Sequence, residues 1–484
     1  MTHKYCQIKA AFRQIWGYDD FRPPQGEVIQ SLLANQDALI VMPTGGGKSI
    51  CFQLPALLQT GLTLVISPLV ALMENQVREL HQRHLSAALL HSELPKYERQ
   101  KTLQKIAQQQ LRLLYLSPET LLSKPVWELL IQPHIKINGL ILDEAHCLVQ
   151  WGETFRPAYQ RLGTIRPSLL KYKPCGTKIA IAAFTATADL HGQKTIKKVL
   201  QLQQPAAFLL SPYRDNLHLS VETIWTPRGR KQKMLKFIRT KDKQAGLVYV
   251  RSRRDSEDLS LWFNGLGYTS VAYHAGLTAT KRRQIEGDWL SGKIQFVVCT
   301  SAFGMGMNKP DCRWIVHFQA PQLLSEYIQE VGRCGRDGKK ANALTLISEP
   351  TGWLNSEDKQ RNQFFNQQLQ KQYQKAHQLA SQIPAQGEIT QISKQFHGAD
   401  ISLAVLHSAG KLQWLDPFNY RQQDDKISSF DWQKLIAQHR RLNSQMNQYL
   451  RTKNCHWQFL LSAFGFKDQA QGLQCGHCDN CLNS

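Results

Sequence analysis

Between about residues 35 and 210 the chain alternates short unbroken apolar runs with longer amphipathic stretches. The runs are "ALIVMP", "TLVISP", "LRLLYLSP", "INGLILDEAH" and "IAIAAFTATA". Four to six apolar residues in a row, closed by Gly, Pro or Ser, are the pattern of a strand buried on both faces, and the segments between them have helical length. This β–α alternation predicts a doubly wound parallel sheet. From about 211 to 348 the rhythm recurs in "AGLVYVRS", "TSVAYHAG", "IQFVVCTSAF", "RWIVHFQAP" and "NALTLIS". Two tandem α/β domains are therefore expected, over residues 1–210 and 211–348.

Beyond Pro350 the periodicity becomes helical, and a third, mainly helical region is expected over 349–484. The Gln-rich stretch from Asn355 to Ser381 resembles low complexity. Its Phe365, Leu369, Tyr373, Ala376 and Leu379 nevertheless recur every three or four residues, which predicts a packed helix. In "EITQISKQFHGADISLAVLHSAGKLQWLDPFNYRQ", Ile389, Ile392 and Phe396 mark one short helix and Gly398 a turn. Asp400 is the expected N-cap of a second helix, Ile401 to Ala409, stopped by Gly410. Two short helices followed by a strand-like run over 388–421 read either as a DNA-binding helix-turn-helix, with or without a wing, or as a plain packing unit.

Composition narrows the class. With 484 residues, 42% hydrophobic and 20% charged, the chain suits a globular protein of two to four domains. It has no 18-residue apolar run and its first twenty residues lack a secretory leader, so a cytoplasmic protein with no membrane partner is expected. Seven of eleven cysteines are scattered singly, the usage of a reducing compartment. The formal charge of +22 points to a polyanionic partner, nucleic acid before others, against the blander reading of a solubilising surface.

Three motifs carry chemistry. "ALIVMPTGGGKSICFQ" places Thr44, Gly45, Gly46, Gly47, Lys48 and Ser49 between a strand and a helix. Backbone without Cβ atoms can curl its N–H groups around phosphate, Lys48 can reach the β- and γ-phosphates, and Ser49 can ligate Mg²⁺. Met42 stands where the strict phosphate-loop pattern has Gly. "GLILDEAHC" then sets Asp143 and Glu144 at a strand's C-terminal end, Asp143 to hold Mg²⁺ and Glu144 to polarise the attacking water. In the second domain "EYIQEVGRCGRDG" carries Gln329, Arg333 and Arg336, whose guanidinium groups can fork onto phosphate oxygens.

Together these segments resemble the helicase superfamily 2 core, and more narrowly the RecQ family of DNA helicases. "GYDDFRPPQ", "MPTGGGKS", "ISPLVALMENQV", "LYLSPETL", "DEAHCLVQWGETFRPAY", "FTATA", "AYHAGL", "TSAFGMGMNKPDCRWIVHF" and "YIQEVGRCGRDG" follow the family's order over about residues 16–345. The resemblance implies two RecA-like domains and ATP-driven 3′ to 5′ movement on single-stranded DNA, with unwinding of forked duplexes in recombination and repair. It also implies a nucleoid-associated enzyme, taken here as a monomer. On it, Tyr18, Arg22 and Gln25 match the adenine-binding motif. His146, Thr185 and Thr187 link nucleotide to DNA, and Trp151, Phe155 and Arg156 belong to an aromatic loop that couples DNA binding to hydrolysis. Arg336 is the better match to the family's arginine finger, with Arg333 beside it. Glu153 stands where the family usually has His. A scaffold that binds or anneals DNA with a vestigial ATPase is the competing reading.

The chain closes on "LQCGHCDNCLNS", with Cys475, Cys478 and Cys481 at zinc-ligand spacing. A structural zinc wants four protein ligands, and Cys455, His456 and His477 are the candidates for the fourth. Resemblance to the RecQ zinc segment implies Cys455, in a four-cysteine module over 432–484. His456 and Trp457 depart from the basic residues the family has there.

Overall fold

The computed structural model describes residues 5–43, 45–150, 156–304, 307, 309–423 and 432–482. By packing, the chain divides into two units. One comprises Met1–Leu210 with Lys371–Trp432, the other Ser211–Gln370 with Gln433–Ser484.

The first unit is built on seven strands: β1 (Ala38–Val41), β2 (Leu62–Ile66), β3 (Ala87–Leu90), β4 (Leu113–Leu116), β5 (Ile137–Leu142), β6 (Ala180–Thr185) and β7 (Ala206–Leu209). They form a parallel sheet in the order β3-β4-β2-β5-β6-β1-β7. The five strands read from sequence lie inside, where both faces are covered by apolar clusters and the side chains form unbroken apolar runs. The two unread strands, β3 and β7, are the edges. They are alanine-rich, and β7 is only half covered, so neither carries the signal of a doubly buried strand.

A buried ion pair ties the first sheet's N-terminal edge together. Asp37, just before β1, accepts two bonds from the Arg166 Nη1 at 2.7 Å and one from the Ile181 amide at 2.8 Å. Nothing in the spacing of these residues marks them as partners.

In the second unit β8 (Leu217–Ile224), β9 (Gly246–Tyr249), β10 (Ser270–Tyr273), β11 (Phe296–Cys299), β12 (Trp314–His317) and β13 (Ala341–Ser348) form a parallel sheet ordered β10-β11-β9-β12-β13-β8. The unread strand is again an edge, β8, whose alternating "LHLSVETI" lacks an apolar run. Both domains have the expected doubly wound α/β architecture.

The residues after 348 are shared between the units. The helix Glu357–Ala380 forms as its apolar stripe predicts, burying Tyr373, Ala376 and Ala380. Its start is held in the second unit by Arg230, fully buried, which grips Asp358 through Nη1 at 3.0 Å and Nη2 at 2.9 Å. Next come β14 (Gln386–Glu388), helices Ile389–Gln395 and Ala399–Ser408, β15 (Leu412–Trp414) and β16 (Asn419–Gln422). The three strands form an antiparallel sheet ordered β14-β16-β15. Helix, strand, two helices and a two-stranded wing are the topology of a winged helix. One detail differs from the sequence reading: Gly398, at φ +84°, is the cap of the second helix, and Asp400 lies in its first turn.

Candidate nucleotide site, coupling residues and metal centre

The phosphate loop leaves β1 and enters the helix Lys48–Leu58, so the loop lies at the helix N-terminus. Gly45 and Gly47 have φ of +86° and +76°, conformations costly for any other residue. A Cβ on Gly47 would also collide with the Gln25 amide. Lys48 donates to the Met42 carbonyl at 3.1 Å, which draws its ammonium back over the loop. Gln25 is buried beside it, its Nε2 donating to the Gly46 carbonyl at 3.1 Å and its Oε1 accepting from the Arg22 amide at 3.0 Å. Tyr18 is exposed, with its ring 5.8 Å from that of Phe12. Thr44 lies outside the described residues.

Asp143 and Glu144 follow β5, whose neighbours on either side are β2 and β6. Both are buried, and Glu144 holds a left-handed φ of +52°, a strained conformation of the kind that concentrates at functional sites. Asp143 accepts from Gln76 Nε2 at 3.2 Å and from the Glu144 amide at 3.0 Å. Burial first, then the charge of Glu144, push its carboxyl up to about 6. Two adjacent buried acids, one with its ionised form disfavoured, suit a divalent cation that would relieve both effects. The paired acids therefore fit a divalent cation such as Mg²⁺.

From Glu144 a polar chain runs to the C-terminal end of β6, beside the start of the phosphate loop. The His146 Nδ1 lies 3.2 Å from the Glu144 Oε2 and 3.2 Å from the Thr185 Oγ1. The Thr185 hydroxyl donates to the Thr187 carbonyl at 3.0 Å and accepts from the Thr187 amide at 3.2 Å. Burial works against charge on His146, but the neighbouring Cys147 sulfur and the Glu144 carboxylate outweigh it and raise its pKa. The three residues named from sequence thus form one contiguous network; Gln76, which steadies Asp143, lies in the segment "ISPLVALMENQV" but was given no role from sequence.

Trp151, Glu153 and Phe155 lie outside the described residues. Arg156 follows them, 3.5 Å from Glu119, and opens the 3₁₀ helix Pro157–Thr164. Against that helix packs the winged-helix segment. Its second helix, the one that would enter a DNA groove, has Ser402 to Leu406 buried and packs on Pro157–Thr164. The turn between β15 and β16 is covered as well. Arg161 donates to the Pro417 carbonyl at 3.0 Å and lies over the Trp414 ring, while Phe418 meets Trp127 edge-on at 5.7 Å. Much of the second helix and the turn between β15 and β16 pack on protein here, as the packing reading expects.

In the second unit Gln329, Arg333 and Arg336 sit on or just after the helix Leu324–Val331. Arg333 donates to the Gly304 carbonyl, and Arg336 to the Met307 carbonyl at 2.5 Å. Burial, with the like charge of Arg333, lowers Arg336 from its ordinary value to about 10. Their loop is fastened to the start of the domain by residues that sequence reasoning missed. Asn216 Nδ2 donates to the Gly335 and Lys339 carbonyls, both at 2.8 Å, and Arg214 donates to the Cys334 carbonyl at 3.2 Å.

The four cysteines Cys455, Cys475, Cys478 and Cys481 come together, with all sulfurs within 4.8 Å of one another. Cys475 and Cys481 are 3.9 Å apart and Cys455 and Cys478 4.0 Å, close to the roughly 3.8 Å expected of thiolates sharing a tetrahedral zinc. The other candidates are engaged elsewhere. His456 Nε2 pairs with Asp479 at 2.8 Å, and His477 Nδ1 meets the Cys475 carbonyl at 2.6 Å. The module sits on the edge strand β8: Asp479 accepts from the Val221 amide at 2.7 Å and Trp457 donates to the Leu217 carbonyl at 3.2 Å. It thereby satisfies edge groups that would otherwise be open to another strand.

Tandem parallel sheets, with a phosphate loop and paired acids on one and an arginine pair on the other, define a two-domain helicase core. Family comparisons agree: the DEAD/DEAH box helicase family matches residues 22–196, the helicase conserved C-terminal domain 229–338, and the RecQ zinc-binding family 423–482. The ATP-dependent DNA helicase RecQ of Synechocystis sp. is 52% identical over 475 residues, 98% of either chain. That of Haemophilus influenzae is 37% identical over 71% of this chain and 54% of its own. The chain belongs to the RecQ family of ATP-dependent DNA helicases. Solved structures share the fold at low identity. Mss116 bound to ssRNA and UDP-BeF has a TM-score of 0.58 at 18% identity, covering 71% of this chain and 73% of that one. Lhr of Mycobacterium smegmatis, bound to ssDNA and AMP-PNP, has 0.55 at 19%, covering 71% and 48%.

Proposed function

We infer that this protein hydrolyses ATP to move 3′ to 5′ along single-stranded DNA and unwind forked duplexes, in recombination and repair. The observation that carries the reading is the completeness of the hydrolytic set: Lys48 at a helix N-terminus, buried Asp143 and Glu144, and the arginine pair, on the fold of a full-length RecQ relative. A vestigial ATPase would be free to lose any of these groups, which weighs against the scaffold reading.

The proposed chemistry follows from the donors. Lys48 and the loop amides bind the phosphates, and Asp143 with Ser49 would hold Mg²⁺, which would supply positive charge to offset that of the phosphates. Glu144 orients a water and takes its proton as the water oxygen bonds to the γ-phosphorus and the bond to ADP breaks. Arg336, with Arg333, offsets the charge of the transferring phosphoryl group, and Gln329 steadies the pair. Gln25, Arg22 and Tyr18 receive adenine. Glu144, His146, Thr185 and Thr187 carry the state of the site toward the aromatic loop of Trp151, Phe155 and Arg156. The four-cysteine site takes Zn²⁺ as a structural ion, since four thiolates leave no position open.

The test is ATP hydrolysis with and without single-stranded DNA. Stimulation by DNA that falls by about 10² or more in Lys48→Ala supports the reading. Hydrolysis indifferent to DNA in the unaltered protein would overturn it.

A further inference from the structure

The helix Leu324–Val331 carries Gln329 and leads into Arg333 and Arg336. Its apolar stripe, Leu324, Tyr327, Ile328 and Val331, packs into the second unit's core. Apolar contact is non-directional, so it decides which face points inward yet tolerates rolling and sliding. One side chain of this helix is held differently. Glu330, 3% exposed, receives a fork from Arg251, with Nη1 donating to Oε1 at 3.1 Å and Nη2 to Oε2 at 2.8 Å. The His317 Nε2 lies 3.0 Å from the same Oε2, and its Nδ1 lies 3.1 Å from the Thr345 Oγ1.

Arg251 and His317 stand at the C-terminal ends of β9 and β12, neighbouring strands paired from Gly246 and Trp314 to Tyr249 and His317. The guanidinium is itself steadied. The Arg251 amide donates to the Gln319 Oε1 at 2.7 Å, its Nε donates to the Ala320 carbonyl at 3.3 Å, and the Gln319 Nε2 donates to Asp255 at 2.9 Å. Glu326, partly exposed, is a second acid whose charge faces this guanidinium. Burial works against charge on Glu330, but Arg251 and His317 outweigh it and hold the carboxyl below its ordinary value.

A fork of two parallel hydrogen bonds is planar and admits one orientation of the helix on the sheet end. The Arg333 amide donates to the Glu330 carbonyl at 3.2 Å, so the arginine-bearing loop starts from the clasped residue, and Asn216 with Arg214 fastens its far side. Stability alone does not account for the pair, because an apolar pair of similar volume would hold the domain without giving up the hydration of two charges. Arg251 also lies outside the segments that carry the family resemblance.

We propose that Arg251 and Glu330 are positioning residues for phosphoryl transfer, their forked pair fixing the roll of the helix and with it the stance from which Arg333 and Arg336 act. It rests on the helicase reading above and adds two residues to it.

Removing either residue alone leaves its partner's charge buried, which destabilises the fold whatever its role. The decisive variant is therefore Arg251→Met with Glu330→Gln, which discharges both partners and keeps an acceptor beside His317. Its melting temperature should match or exceed that of the unaltered protein, and its affinity for a fluorescent ATP analogue should be unchanged. Its DNA-stimulated kcat should fall by about 10- to 10²-fold, the scale of a reacting group displaced by up to about 1 Å. Arg251→Lys keeps the charge and gives up only the fork, so it should show the same split between binding and turnover in smaller measure, and it repeats the measurement if the double variant melts early. In an Arg336→Ala background the double substitution should lose most of its effect, since the group it positions is gone, whereas a loss of folded protein lowers hydrolysis by the same factor in both backgrounds. Full kcat in the double variant, or an equal fold-loss in the two backgrounds, overturns the positioning role while DNA still stimulates the unaltered protein. Absence of that stimulation overturns the helicase reading itself.

Discussion

Asp143 is an acid whose ionised form the fold disfavours. Its carboxyl is raised from 3.8 to about 6, so the bare protein binds this proton more tightly folded than unfolded. The cost to stability is therefore full above pH 6 and disappears as the pH falls toward 4. Asp143→Asn should abolish most ATP hydrolysis while leaving the melting temperature of the metal-free protein at pH 7.5 unchanged or higher. A clear fall in that temperature would mean that the carboxylate is a structural prop. Protons also compete with the metal, so the Mg²⁺ concentration that half-saturates hydrolysis should rise as the pH drops from 7.5 through 6. At the same scale, Arg336→Ala should keep ATP binding and lose turnover by about 10³ or more, the range of a removed arginine finger. Equilibrium binding of a fluorescent ATP analogue and steady-state hydrolysis separate the two effects.

At the scale of elements, the winged helix shows how a recognisable motif can be put to another use. Its second helix is apolar on most sides, with Leu403, Ala404, Val405 and Leu406 all buried, whereas a helix that reads DNA presents polar and basic side chains. "ADISLAVLHS" already contained that contrast, because no Lys or Arg occurs in it. Arg161 is the main polar tie, bonded to the wing turn and stacked over Trp414. Arg161→Ala should cost about 1–3 kcal/mol and raise amide hydrogen exchange within residues 399–422. Exchange at its original level there would place the hold in the apolar contacts alone. The zinc module is the other element with a local consequence. Chelation of zinc or Cys455→Ala should lower the melting temperature of the second unit by roughly 10 °C, as expected when a few kcal/mol are lost from a domain of this size. Retention of full zinc content and stability by that variant would refute the four-cysteine assignment.

For the whole molecule, the excess of 22 positive charges fits an enzyme that works on a polyanion. Its parts are distributed: the phosphate loop and acids belong to one unit, the arginine pair and metal centre to the other, and the region after 348 contributes to both. Much of this was legible beforehand. Lys48, Asp143, Glu144 and the arginines were readable because each sits in a short contiguous motif, where a few neighbouring residues must meet one ligand. Asn216 and Arg214 were not, since each acts on a residue more than a hundred positions away and nothing in its own neighbourhood records the partner; Gln76 lay in a quoted segment, but its bond to Asp143 across 67 positions was not legible there.

By itself the sequence determined the interior strands, the phosphate-binding loop, the paired acids and three of the zinc ligands, because burial on two faces and chelation at close spacing both leave local patterns. Only the tertiary structure decided the edge strands β3, β7 and β8, the pairing of His456 with Asp479, the covering of the winged helix, and the exposure of Trp225 and Trp353. Those outcomes depend on which surfaces meet. A half-covered strand, a histidine already paired with Asp479 and an indole left in water have no periodicity to announce them.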